Sequence, residues 1–102
     1  MQETEKLEYM KNYISLQIRS AYQQYRTALD SLEAAKRNLE ISRENIKIVK
    51  TKSELGQTSH YEQEEAQALV TRALWRVESA RIEIEKAYLY VAITASWGDI
   101  HE

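Results

Sequence analysis

Apolar and small residues recur along the first half of the chain at alternating steps of four and three. This spacing defines positions a and d of a heptad repeat that continues for about five heptads, as is typical of a coiled-coil helix. The two series are Ile18, Tyr25, Leu32, Leu39 and Ile46 at position a, and Ile14, Ala21, Ala28, Ala35, Ser42 and Val49 at position d.

The same repeat resumes after Gly56 and predicts a second long helix. Branched residues occupy position a and small residues occupy position d. The members are Val70, Val77, Ile84 and Val91 at a, and Ser59, Ala66, Ala73, Ala80, Ala87 and Thr94 at d.

The segment between the two repeats carries helix stop and start signals. Lys50 and Lys52 fit the last turn of a helix, and Gly56 can adopt the left-handed conformation of a C-cap. Ser59 and Glu62 have the spacing of a capping box, in which the hydroxyl bonds forward and the carboxylate bonds back. We therefore predict an all-α antiparallel hairpin, with helix one over about residues 4–54 and helix two over about residues 59–96.

The heptads also predict the register of this hairpin, because position a faces position d of the partner when two helices run in opposite directions. Residues whose numbers total 112 then lie opposite each other, as in the pairs Leu32 with Ala80 and Ala35 with Val77. A large side chain meets an alanine in each pair, which lets the two backbones approach closely.

A second apolar series runs along each predicted helix, away from this seam. At position c of helix one it forms what we call the helix-one stripe: Ala34, Ile41, Ile48 and Leu55. At position f of helix two it forms the helix-two stripe: Tyr61, Ala68, Trp75, Ile82 and Leu89. The stripes lie roughly 130° and 170° around each helix from the seam, so each helix is expected to have neighbours on two sides. Two arrangements satisfy this pattern: a wall of helices that closes into a tube, and a four-helix bundle formed by two hairpins.

Composition narrows the possible functions. The 102 residues include no Cys, no Pro and only two Gly, and the net charge is -2 with both signs interspersed, which argues against nucleic-acid binding. The longest uncharged segment, Ala87 to Gly98, is too short to span a membrane, and no signal peptide is recognisable in this sequence. No nucleophile held by a base and no phosphate-binding loop occur, so we expect neither enzyme activity nor a cofactor.

Charged residues near the turn leave two interpretations open. Residues 43–52 carry a net charge of +3, and Glu62, Glu64 and Glu65 follow the turn. These blocks could gate a cation path with Glu62 facing a lumen, or they could form solvated ion pairs such as Lys52 with Glu62. His60 and Glu64 are four residues apart and could both contact a metal, but two ligands do not make a site, and we predict none.

The residues around the turn and near the end of the chain resemble the outer-membrane efflux protein family typified by TolC. In that family a long helix ends near a tip glycine, a Ser or Thr and an acidic residue follow, and an Ala-Gln pair opens a return helix that ends at a glycine. The positions that match in spacing are Gly56, Ser59, Glu62, Ala66, Gln67 and Gly98. Ser53 departs from the family, where an aromatic residue is common, as do Gln63 and Glu64, where apolar residues are usual.

This resemblance implies a periplasmic tunnel wall that continues an outer-membrane channel and docks by its tip onto a periplasmic adaptor protein. Family members carry two hairpins per subunit and assemble as trimers. The chain, residues 1–102, is therefore expected to be one hairpin repeat of a larger subunit and not itself to span the membrane. The ending after Trp97 and Gly98 points to the C-terminal repeat. Its location would be the periplasm, as part of an outer-membrane protein.

The tip residues Leu55, Gly56 and Gln57 are carried over from the family as the candidate docking site. An alternative interpretation is that Leu55 closes the core of the hairpin beside the cap. For the chain as a whole, the alternative function is an oligomerising coiled-coil scaffold with no role in transport.

Overall fold

The computed structural model describes residues 2–101, with side-chain surroundings for residues 2–98. Two α-helices, α1 (Gln2–Glu54) and α2 (His60–His101), are joined by a five-residue turn, and no strand occurs in the described part of the chain. The all-α helical hairpin predicted from the heptads is therefore confirmed. Each helix is longer than predicted at the end away from the turn.

The hairpin divides into two compact units. The tip unit runs from Asp30 to Arg81 and contains the turn. The open-end unit combines the first part of α1, up to Leu29, with the part of α2 from Ile82 onward.

The core of the tip unit lies along the predicted seam. Ala35, Val77 and Ala80 are buried and form one cluster, against which Leu32 and Leu39 pack. This cluster contains both members of the predicted pairs Ala35 with Val77 and Leu32 with Ala80. The buried side chains are alanines and one valine, and the larger seam residues are half-buried, as expected for a core only two helices wide.

The open-end unit follows the same repeat, with Ala21 and Ala28 buried in α1. Aromatic residues add contacts beside the seam. The ring centroids of Tyr25 and Tyr88 lie 6.3 Å apart at an interplanar angle of 56°. The hydroxyl of Tyr90 donates a hydrogen bond of 2.8 Å to the Gln17 side-chain oxygen.

Gly98 does not end the second helix, contrary to the prediction that α2 stops near residue 96. The helix continues through Gly98, which is buried, to His101. A Cβ at this position would lie 3.2 Å from Cγ2 of Ile14 and 3.4 Å from Cδ1 of Ile18. Gly98 therefore permits a close approach of the two helices, which agrees with the predicted pairing of residues 14 and 98.

Residues 2–13 of α1 are helical, and all of them are exposed. The predicted register leaves most of this segment without an opposite residue in α2. The large apolar side chains that it presents to solvent are Leu7, Tyr9, Met10 and Tyr13.

Candidate functional site: the hairpin tip and the outer stripes

The turn begins with a Schellman motif that ends α1. The amide of Gln57 donates to the carbonyl of Lys52 at 2.8 Å, and the amide of Gly56 donates to the carbonyl of Ser53 at 3.0 Å. Gly56 has φ of 70°, and no heavy atom lies within 4 Å of where a Cβ would stand. Only backbone strain therefore disfavours a larger residue at Gly56, and the predicted left-handed C-cap is present.

The second half of the turn caps α2 at Ser59. Its hydroxyl oxygen accepts a hydrogen bond of 3.1 Å from the amide of Glu62, which satisfies a free donor of the first helical turn. The reciprocal bond of a capping box is missing, because no described bond joins the Glu62 carboxylate to the Ser59 amide. Ser59 is also exposed, so its assignment to position d of the seam was wrong, and the half-buried residue at the turn is Thr58. The Thr58 hydroxyl accepts a 3.2 Å bond from the Gln63 side chain.

Loss of this N-cap should destabilise the hairpin. We expect Ser59→Ala to lower the free energy of unfolding by about 1 kcal/mol, since the Glu62 amide loses its acceptor. Thermal or denaturant unfolding followed by circular dichroism measures the effect. Ser79→Ala is the matched control, because Ser79 is an exposed residue in the interior of α2 where alanine is the better helix former. Equal stability of the two variants would contradict the capping role.

Leu55 does not close the core of the hairpin. Its side chain is 66% exposed at the apex of the turn, next to Gly56 and Gln57, which are exposed as well. The interpretation of Leu55 as a core residue was therefore wrong. An exposed leucine beside a glycine offers an apolar protrusion with little backbone bulk around it.

The large residues of both outer stripes are exposed in the hairpin. Their side chains leave between 52% and 72% of their surface in solvent: Ile41, Ile48, Leu55, Tyr61, Trp75, Ile82 and Leu89. The seam accounts for the packing within one chain, so these residues take no part in it. A soluble chain that presented such stripes to water would carry unusually extended apolar surface.

Ion pairs form along each helix and do not bridge the turn. The pairs among the described residues, with N to O distances of 3.0 to 3.7 Å, all join residues three or four apart: Lys47 with Glu44, His60 with Glu64, Arg81 with Glu78, and Lys86 with Glu83. The predicted pair of Lys52 with Glu62 is not formed. Glu62 is exposed, and only its backbone amide is bonded to Ser59.

His60 and Glu64 lie together, with Nε2 of His60 3.0 Å from Oε1 of Glu64. Both side chains are exposed, and the contact is an ion pair only when the imidazole carries a proton. No group of three or more possible metal ligands comes together in the described part of the chain. The geometry here offers a surface contact without the third ligand that a metal site requires.

A groove in the open-end unit was not foreseen from the sequence. It has a volume of about 260 Å³ and is lined mainly by aromatic and branched side chains of both helices: Tyr13, Ile14, Gln17, Tyr90, Ile93, Thr94 and Trp97. The clustering of aromatic residues at this end was visible in the sequence. The hydrogen bond between Tyr90 and Gln17 depends on the register of the two helices and carries no local sequence signal.

Comparison of the chain with protein-family models, with curated proteins and with solved structures gives no match. Within the described residues, neither helix contains a segment with the length and hydropathy of a membrane span.

Proposed function

We propose that this hairpin is one of the side-by-side helical hairpins that form the periplasmic tunnel wall of an outer-membrane efflux or secretion channel. In this role the chain acts as a conduit and a docking element and performs no chemistry of its own. The tip, residues 55–57, binds the helical hairpin of a periplasmic adaptor protein. The site of action is the periplasm, as part of an outer-membrane protein of the TolC-like family.

The observation that carries this proposal is the exposure of both outer stripes. Ile41 and Ile48 on α1, and Trp75 on α2, are large apolar residues that the hairpin seam leaves in solvent. A helix with one apolar face for its own partner and another for a second neighbour suits a continuous wall of helices. A tunnel wall supplies that second neighbour to every helix.

The geometry of the tip supports docking. The Schellman motif fixes the end of α1 and the Ser59 cap fixes the start of α2, so the short segment between them is held at both ends. Leu55 projects from this segment with 66% of its surface exposed. A fixed apolar side chain can enter a groove on a partner at a low cost in conformational entropy.

A coiled-coil scaffold without a transport role is the second candidate, and the same exposed stripes favour it. The two functions differ at the tip, because a scaffold that associates only through its stripes does not need an exposed Leu55. They also differ in what the hairpin binds besides itself. Tip binding is therefore the property that separates them.

Self-association is the first test, and both functions require it. We expect sedimentation velocity at several concentrations to show assemblies larger than a monomer, since each hairpin presents two unsatisfied stripes. Full-length members of the family form trimers, but an assembly of this chain alone can contain a different number of copies. A monomer that persists at high concentration would contradict both functions.

Docking is tested at Leu55. We expect Leu55→Ser to weaken binding to purified periplasmic adaptor proteins of bacterial efflux pumps at least tenfold, because the apolar protrusion is lost. Surface plasmon resonance with immobilised hairpin measures this. Leu16→Ser is the matched control, since Leu16 is 64% exposed and lies outside the tip. Equal binding by both variants, or no adaptor binding by the unmodified hairpin, would leave the scaffold as the better function.

A further inference from the structure

The part of α1 that belongs to the open-end unit contains a long segment without acidic residues. Between Tyr9 and Leu29 its charged residues are Lys11, Arg19 and Arg26, and all three are basic. In the tip unit, by contrast, acidic and basic residues of α1 are interspersed. One part of the chain is therefore positively charged although the net charge of the whole chain is -2.

Arg19 and Arg26 lie on the same side of α1 because they are seven residues apart. Both occupy position b, which belongs neither to the hairpin seam nor to the helix-one stripe. The two arginines border a groove of about 670 Å³ in the open-end unit, and its other lining residues are Ile18, Tyr22, Gln23, Tyr25 and Leu29. The ring of Tyr25 lies against Tyr88 of α2, so tyrosines of both helices adjoin the two arginines.

Neither guanidinium group has an ion pair or a hydrogen bond with another described residue. No acidic residue occurs three or four positions from Arg19. Arg26 has Asp30 in the next turn, and Glu85 lies level with it on α2 in the predicted register, but no pair forms with either. Both arginines are exposed, so their charges are accessible to an anion outside the chain.

Large apolar side chains flank the two arginines on both sides and are exposed as well. Tyr22 and Leu29 occupy position e, toward the seam, and Leu16 occupies position f, on the other side. Tyrosine suits a membrane–water interface because its ring is apolar and its hydroxyl is polar. A small soluble anion would contact the arginines alone, whereas a lipid surface also covers the apolar side chains around them.

We propose that this surface binds a membrane that contains anionic phospholipids. We call it the arginine–tyrosine face, and its members are Leu16, Arg19, Tyr22, Tyr25, Arg26, Leu29 and Tyr88. The guanidinium groups contact lipid phosphates, and the tyrosines and leucines enter the headgroup region. The binding is peripheral, because neither helix has a membrane span among its described residues.

This proposal goes beyond the tunnel-wall function and does not depend on it. The arginine–tyrosine face uses positions b, e and f of α1, whereas the helix-one stripe uses position c and adaptor docking uses residues 55–57. A hairpin that remains a monomer can still bind lipid, and a wall of hairpins can form without lipid. The two proposals can therefore fail separately.

Co-sedimentation of the full chain with lipid vesicles tests the proposal. One set of vesicles contains equal amounts of phosphatidylcholine and anionic phosphatidylglycerol, and the other contains phosphatidylcholine alone. We expect the partition coefficient to be at least tenfold higher for the anionic vesicles at low salt and to fall as salt is added.

The double variant Arg19→Gln with Arg26→Gln should lower the partition coefficient for anionic vesicles at least tenfold. Arg37→Gln with Arg43→Gln is the matched control, because it removes the same charge from α1 in the tip unit, where acidic residues surround both arginines. This control should bind nearly as well as the unmodified chain. Circular dichroism checks that both double variants remain helical.

Tyr22→Gln separates a lipid surface from a soluble anion, because it leaves the charge unchanged. We expect it to weaken vesicle binding at least threefold, whereas Tyr61→Gln, an exposed tyrosine of the tip unit, should have little effect. Unchanged binding by Tyr22→Gln would overturn the proposal and assign the arginines to soluble anions. Equal partitioning into both kinds of vesicle, or equal losses in the two arginine double variants, would overturn it as well. Sedimentation of the chain without lipid measures self-association separately.

Discussion

Replacing Ala80 with leucine should lower the free energy of unfolding of the hairpin by about 1 to 3 kcal/mol. Ala80 is only 8% exposed and belongs to the cluster of Ala35 and Val77, against which Leu32 packs. The extra carbon atoms of leucine need space that Leu32 already fills. Leucine and alanine have similar helix propensities, so the cost comes from packing.

A double variant separates overpacking from other causes. In Leu32→Ala with Ala80→Leu the large and small residues exchange places, and we expect most of the lost stability to return. Denaturant unfolding of the wild type, both single variants and the double variant gives the coupling energy between the two sites. Ala92→Leu is the control for adding a leucine to α2, because Ala92 is exposed and lies outside the seam. An Ala80→Leu variant as stable as Ala92→Leu would contradict the register.

The helices and their register could be predicted from sequence because a heptad pattern repeats the same information many times. Each of the pairs Leu32 with Ala80 and Ala35 with Val77 follows from the same spacing, so a single ambiguous residue such as Ser42 does not disturb the result. Gly56 could be predicted for a different reason. A lone glycine between two long repeats is the residue that a left-handed C-cap favours.

The details of the turn could not be predicted because they depend on which of several local bonds is formed. Ser59 and Glu62 have the spacing of a capping box, but only the bond from the Glu62 amide to the Ser59 hydroxyl exists. Hydrogen bonds to water stabilise an exposed carboxylate nearly as much as a hydrogen bond from a backbone amide does. The same competition with water explains why Lys52 and Glu62 are not paired.

Gly98 shows that glycine can have two structural roles: it can end a helix, or it can let two helices approach closely. A glycine near the end of a repeat is a frequent helix terminator, and the sequence offers no local sign that this one is needed inside the helix. Its role depends on Ile14 and Ile18, whose side chains approach it from α1 across the seam. Only the pairing of residues distant in sequence reveals that contact.

Replacing Trp75 with glutamine should weaken self-association at least thirtyfold while leaving the hairpin itself folded. Trp75 is 69% exposed and takes no part in the seam, so the isolated hairpin loses little packing. In the assembly its ring would be the largest side chain of the helix-two stripe. Removal of a buried interface tryptophan costs about 2 kcal/mol or more of binding free energy, which corresponds to that loss of affinity.

Sedimentation equilibrium over a range of concentrations measures the association constant, and circular dichroism confirms that the helices are retained. Leu74→Gln is the matched control, because Leu74 is the preceding residue, is 42% exposed and lies outside both stripes. Because position e lies about 100° from position f around the helix, the control alters a different surface of α2. Equal association of the two variants would show that α2 meets its neighbour through a surface other than its stripe, and the side-by-side wall would then have to be abandoned.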